Sequence, residues 1–261
     1  MRLLAILSLS LTLFACGKPD PNMLVVGTIA GPETELIEAA AKEAKQKYGL
    51  SVKIVEFSDY NLPNEALNDG SLDANVFQHQ PYLDAAIKAH GYQLKAIGKT
   101  FIYPTGIYSK KHKTLQSLPE HAIIALPNDP SNEMRALHLL KSAGLITLKN
   151  TTSNASIDDV ASNPKKLVFK EIDAAQLPRV LDDVDAAIIN TTFAIPAGLS
   201  PSRDALFVEP SDSPYANIIV VRENSNKTQL LEEFVKAMHS EPVLQKAQEL
   251  FGADAIAAWK K

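Results

Sequence analysis

Apolar positions along this chain recur with two alternating periods, and the places where the period changes mark its elements. Leu24-Val25-Val26-Gly27 is a short continuous apolar run, the pattern of a buried strand. Leu36, Ile37, Ala40, Ala41, Ala44 and Tyr48 then recur at helical spacing, with Pro32 suited to the first turn and Gly49 to the stop. The alternation continues: strand from Val52 to Phe57, helix from Pro63 to Asn68, strand from Leu72 to Phe77, helix from Pro81 to His90 closed by Gly91. It resumes with a strand from Ala122 to Leu126 and a helix entered through Asp129-Pro130 that runs to Gly144. A strand from Leu167 to Ile172, a helix from Leu177 to Asp182 and a strand from Asp185 to Asn190 follow. Near the end come an extended segment, Tyr215 to Arg222, and helices with Leu230, Leu231, Phe234, Val235 and Met238 on one face.

This rhythm predicts an α/β fold with largely parallel sheets. The apolar segment Phe101 to Lys111 is broken by Pro104 and Gly106, and Pro214 opens the late extended segment. The expected organisation is two α/β lobes joined by two chain crossings near those prolines. One lobe comprises 23–104 and 214–261, the other 105–213. Leu72-Asp73-Ala74 and Val184-Asp185-Ala186 each lead into an apolar strand, as expected of lobes built alike.

The run Leu3 to Phe14 follows a single positive charge, Arg2. It is too short for a bilayer-spanning helix, which needs about 20 apolar residues. It has the form of a secretory signal. The small residue Ala15 followed by Cys16 resembles the lipobox of bacterial lipoproteins, which implies removal of 1–15 and acylation (palmitate) of Cys16. The alternative is an ordinary signal peptide with an incidental cysteine at the cut. Residues 16–22, polar and holding two prolines, read as anchor and tether. Cys16 is the only cysteine, so no intramolecular disulfide forms. A net charge of −4, one unit more negative without Arg2, argues against nucleic acid as a partner.

Ligands of open parallel sheets bind beyond the carboxyl ends of the strands, beside helix N-termini. The junctions at those places hold Ser58-Asp59-Tyr60, Gln78-His79-Gln80-Pro81-Tyr82, Pro127 to Asn132 with Arg135 beyond, Asn190-Thr191-Thr192, and Ser213 to Asn217. A free amino acid would find what it needs there. Arg135 offers its carboxylate a forked donor. The amide oxygens of Asn190 and Asn217 suit its ammonium. Tyr60, Phe77 and Tyr82 can form an apolar slot, in which a thioether gains about 0.3–1.5 kcal/mol per good aromatic contact. Each residue also has an ordinary reading: a solvated Arg135, a structural His79, a core Phe77, and Asn128, Asp129, Asn132, Thr191 and Thr192 as turn and cap residues.

Catalytic signatures are mostly lacking: no G-x-S-x-G, Walker loop or H-E-x-x-H occurs, and the six histidines have no metal-ligand spacing. No cofactor and no metal are expected, and the expectation is that the protein is not an enzyme. A dispersed Ser/His/Asp triad stays open as the hydrolase alternative.

At the same junctions the chain resembles the NlpA/MetQ family, the methionine-binding lipoproteins of ABC importers. The resemblance rests on Tyr60-Asn61-Leu62-Pro63-Asn64-Glu65-Ala66-Leu67, on Asp73 through Asp84, on Thr100 to Pro104, and on Tyr108 to Lys111. It continues through Pro127 to Asn132, Ala175 to Arg179, Ile189 to Thr192 and Ser213-Pro214-Tyr215, in order over nearly the whole mature chain. It implies a two-lobed periplasmic-binding-protein fold of type II that closes around free methionine. It assigns carboxylate recognition to Arg135, polar recognition to His79, Asn190 and Asn217, and side-chain packing to Tyr60, Phe77 and Tyr82. It implies partners as well: a permease and its ATPase, and a membrane reached through acylated Cys16. The protein is expected to be a monomer in the cell envelope, on the periplasmic side in a Gram-negative cell. Gly17 is not the Asp associated with inner-membrane retention, so the choice of membrane stays open.

One position departs from the family pattern. The arginine is usually preceded by Gly, and here by Met134. If position 134 faces the cleft, Met takes up pocket volume or alters closure, which would leave L-methionine, D-methionine, another small amino acid or a methionyl dipeptide as the ligand. A non-transport role in adhesion or sensing is the other binding-module alternative.

Overall fold

The computed structural model describes residues 20–149 and 155–260. The signal segment, Cys16 and most of the tether therefore lie outside the described residues. In chain order the first elements are β1 (Met23–Ile29), α1 (Pro32–Tyr48), β2 (Ser51–Phe57), α2 (Pro63–Asn68), β3 (Ala74–His79), α3 (Gln80–His90) and β4 (Leu94–Ile102). Then come β5 (Gly106–Tyr108), β6 (Ile123–Pro127), α4 (Pro130–Ser142), β7 (Thr147–Leu148), β8 (Val160–Ser162), β9 (Val168–Ile172) and β10 (Ala186–Ile189). The chain ends through α5 (Thr191–Ala194), α6 (Pro201–Asp204), β11 (Phe207–Val208), β12 (Ala216–Arg222), α7 (Thr228–Met238), α8 (Glu241–Phe251) and β13 (Ile256–Ala257).

Two separate sheets divide the molecule into lobes. The first has the order β13-β4-β12-β3-β1-β2 and the second β11-β5-β10-β6-β9. In each, a parallel set (β1, β2, β3; β6, β9, β10) is joined by antiparallel strands. The chain crosses to the second sheet between β4 and β5 and returns between β11 and β12. β12 enters the middle of the first sheet, antiparallel to both β3 and β4.

The strand period of two sorts side chains to opposite faces. In β12, Ile219 and Val221 pack under α1, α7 and α8 with Leu36, Phe234 and Phe251. Ile218 and Val220 pack on the other face with Leu67, Leu83 and Leu94. The second sheet likewise has α4 on one side and Leu177, Leu181 and Ala194 on the other. Gly49 and Gly91 end α1 and α3 in the left-handed conformation, at φ 69° and 70°, where a Cβ would be strained.

Three features differ from the sequence expectation. Leu94–Ile102 is a full strand that the pattern did not reveal, because Lys95, Gly98 and Lys99 interrupt its apolar run. The third strand begins at Ala74 rather than Leu72 and extends through His79. Leu177–Asp182 is not a helix but a series of tight turns. Pro178 has no N–H to give, and the neighbouring bonds, Arg179 N to Gln176 O and Asp183 N to Val180 O, span only three residues.

Candidate functional site

Four helix N-termini meet between the lobes, α1 and α3 from the first and α4 and α5 from the second. Tyr60, Phe77, His79, Tyr82, Arg135, Asn190 and Asn217 all line one cleft there. The structure therefore brings together every residue expected at the site.

The apolar part is built by three rings of the first lobe. Tyr60, Phe77 and Tyr82 lie with centroids 5.7–5.9 Å apart, in tilted and edge-on pairs. Tyr82 donates its hydroxyl to the Tyr60 carbonyl at 3.0 Å, which fixes two of them. The β3–β12 register shifts between Ile218 and Ile219, leaving Phe77 without a ladder partner. Phe193 of α5 closes on Tyr60 from the second lobe at 4.9 Å, a contact the sequence did not reveal. Behind β3, Asn64, Asn75 and Gln78 satisfy one another in a buried amide network, so the polar residues of this wholly buried strand have partners.

The polar part has a hub that sequence reading placed among ordinary caps. Asn132 accepts from Asn190 Nδ2 at 2.9 Å and from His79 Nε2 at 3.3 Å, while its own amide donates to Asp129, the cap of α4. The Nδ1 of His79 accepts from Tyr82 N at 3.2 Å and caps α3. These two bonds assign the neutral tautomer with its proton on Nε2. Burial, helped by the nearby Arg135 charge, pushes the His79 pKa down to about 3. Both ring nitrogens of His79 are thus bonded within the protein, and Nε2 links the lobes through Asn132 while the ring lines the cleft.

Arg135 is almost wholly buried. Its Nε donates to Glu209 Oε1 at 3.0 Å, and Nη2 donates to Glu209 Oε2 and to the Tyr103 carbonyl. Tyr215 stacks beneath it, 4.5 Å from Cζ to ring centroid. Nη1 takes part in none of these bonds. Across the cleft, Asn217 spends its amide hydrogens on Glu33 Oε1 (3.2 Å) and the Phe77 carbonyl (3.3 Å), which leaves its oxygen as an acceptor. Asn190 Oδ1 is buried without a hydrogen-bond partner. The cleft is therefore lined by a guanidinium with one nitrogen outside these bonds, by two amide groups and by aromatic rings.

Glu33, in the first turn of α1, is the acidic residue missed at sequence level. It also accepts from Thr192 of the second lobe at 3.3 Å. Burial pushes its pKa up to about 8, against the lowering effect of its bonds to Thr192 and Asn217.

Met134 does not face this cleft. It is 6% exposed, packed in the core of the second lobe with Leu137, and borders a groove between α3 and α4. On a helix, adjacent positions point about 100° apart, so Arg135 inward and Met134 aside is the expected geometry. The condition under which Met134 would take up pocket volume, that position 134 faces the cleft, is not met.

The NlpA lipoprotein family matches residues 24–259. A relative from Salmonella typhi called "D-methionine-binding lipoprotein MetQ" is 48% identical over 255 residues, 96% of this chain and 94% of that protein. "Outer membrane lipoprotein 3" of Mannheimia haemolytica is 48% identical over 256 residues, 98% of this chain and 97% of that protein. Among solved structures, a nutrient-binding protein from Burkholderia cenocepacia bound to methionine has a TM-score of 0.88 at 50% identity. It covers 90% of this chain and 99% of that one. With a match over nearly the whole described chain and the two-lobed frame of its relatives, the chain belongs to the NlpA lipoprotein family.

Proposed function

We propose that this protein is a lipid-anchored solute-binding protein that closes its lobes around methionine, or a close analogue, and delivers it to the permease and ATPase of an ABC importer. One observation carries the reading: Arg135 Nη1, left out of the Glu209 pair, shares a cleft with unpartnered Asn190 Oδ1 and the aromatic slot. That combination complements a zwitterion with an apolar, polarisable tail. In this reading Tyr60, Phe77 and Tyr82 hold the thioether, Arg135 the carboxylate, and Asn190 and Asn217 the ammonium. His79 positions the site through Asn132. The names of the Salmonella and Burkholderia relatives support the ligand.

The rest of the proposal follows the sequence. Residues 1–15 are the signal peptide, acylated Cys16 and the segment to 22 tether the fold, and the lobes are 23–104 with 214–261, and 105–213. The protein acts as a monomer in the cell envelope and performs no catalysis. The test is thermal stability of unfolded and refolded protein against L-methionine, D-methionine, a methionyl dipeptide and a panel of small amino acids. A ligand at a hundred times its dissociation constant should add about 2.7 kcal/mol. No stabilisation by either methionine isomer overturns the reading.

A further inference from the structure

We propose that Glu33 is the charge partner of the ligand's ammonium, acting through Asn217 and Thr192, so that lobe closure depends on a charged amine. This rests on the amino-acid reading of the cleft and extends it to the balance of charge.

A buried zwitterion needs both of its charges compensated. In the amino-acid reading the carboxylate is met by Arg135 through the Nη1 left out of its Glu209 pair, so the ammonium is the charge still without an opposite partner. The amide oxygens of Asn190 and Asn217 offer dipoles but no net charge. Two other carboxyl groups lie near the cleft. Asp129 belongs to the α4 cap, with one oxygen bonded to Asn132 and the other to Asn132 and Ser131. Glu33 differs: its Oε2 is buried without a hydrogen-bond partner, the sole carboxylate oxygen in that condition among the described residues. Its Oε1 holds the Asn217 amide at 3.2 Å and the Thr192 hydroxyl at 3.3 Å. The first contact, with that to the Phe77 carbonyl, occupies the Asn217 amide hydrogens and leaves its oxygen to accept. The second crosses from the first lobe to the second. One carboxyl therefore touches an ammonium acceptor and the lobe seam together.

The titratable groups facing Glu33 are the phenols Tyr60 and Tyr103, both held far above their usual range by burial. They stay neutral, and the groups bonded to Glu33, the Thr192 hydroxyl and the Asn217 amide, carry no charge. Its own burial favours the protonated form in the absence of ligand, as its raised pKa of about 8 records. An arriving ammonium favours the carboxylate, so the Glu33 O–H bond breaks, the proton passes to solvent, and the ligand keeps its own protons. Glu33 is a positioning residue in this scheme, since it acts through Asn217.

The experiment is calorimetry of the refolded protein with L-methionine at pH 7 in phosphate and in Tris, whose ionisation enthalpies differ. It is repeated with 4-(methylthio)butanoate, which keeps the tail and carboxylate but lacks the amine. Wild type should release protons on binding L-methionine, seen as a binding heat that differs between the two buffers. Glu33→Gln should release none, lose at least tenfold in affinity for L-methionine, and bind the amine-free probe as wild type does. Equal losses for both probes, or unchanged proton release in Glu33→Gln, overturn the proposal. The wild-type proton count needs no variant, and a count near zero overturns it as well. A wild type that binds methionine with Glu33→Gln indistinguishable refutes the Glu33 role alone. A wild type that binds neither probe refutes the amino-acid reading, and the Glu33 role with it.

Discussion

Glu209 grips the guanidinium of Arg135 from the second chain crossing, meeting Nε at 3.0 Å and Nη2 with its other oxygen. Glu209 also accepts from Thr105 N and donates its own N–H to Thr105 O, which ties both crossings to the same pair. The Arg135 guanidinium is therefore held by residues of both chain crossings.

That pairing sets two costs apart. Arg135→Ala should abolish ligand-induced stabilisation and also lower stability by about 3–5 kcal/mol, because a buried carboxylate is left without its partner. Arg135→Met combined with Glu209→Gln should recover much of the stability and none of the binding. Chemical denaturation with and without ligand separates the two effects.

Asn132→Ala should weaken ligand binding by roughly tenfold or more. It removes the acceptor shared by Asn190 and His79 and leaves two buried N–H donors unpaired, at about 1–3 kcal/mol each. The check is titration calorimetry beside a melting curve. Binding equal to wild type would show that neither residue needs this anchor.

Met134→Gly should destabilise the protein by about 2–5 kcal/mol, through a lost core side chain and a glycine placed inside α4. Ligand preference should not change, since the side chain lies outside the cleft. A panel of amino acids measured against both proteins tests this directly.

The strands and helices around the site were legible because their apolar periods are regular and glycine closes α1 and α3. The junction residues were legible because strand ends and helix starts confine where a ligand can sit. Asn132 was not, since an asparagine two residues after Pro130 reads equally well as an ordinary helix-start residue. Glu33 was hidden by a similar ambiguity. An acid in the first turn of a helix ordinarily complements the helix dipole in water, and only the packing of Thr192 and Asn217 reveals that this one is buried. The direction of Met134 was not legible, because sequence sets it beside Arg135 and only the helix geometry of α4 turns it away from the cleft.

Glu33 also reverses the usual acid dependence at this site. Burial raises its carboxyl pKa from the ordinary 4.5 to about 8 in the folded, ligand-free protein. Its contribution is fully present below the unfolded value and is lost as pH rises toward 8, by up to about 1.4 kcal/mol per unit. Ligand-free Glu33→Gln should show a flatter stability profile over that interval than wild type, measured by urea unfolding at several pH values.

The central place of β12 sets the order in which the chain can fold. The second sheet is assembled from residues contiguous in sequence between β5 and β11. The first lacks its middle strand until residues 216–222 arrive, more than 100 positions after β3 and β4 have formed their other contacts. Local pairings close fast and distant ones slowly. The lobe that begins last is therefore the one able to fold first, and a chain emerging from its N-terminus completes its opening sheet only when its C-terminal quarter has come through.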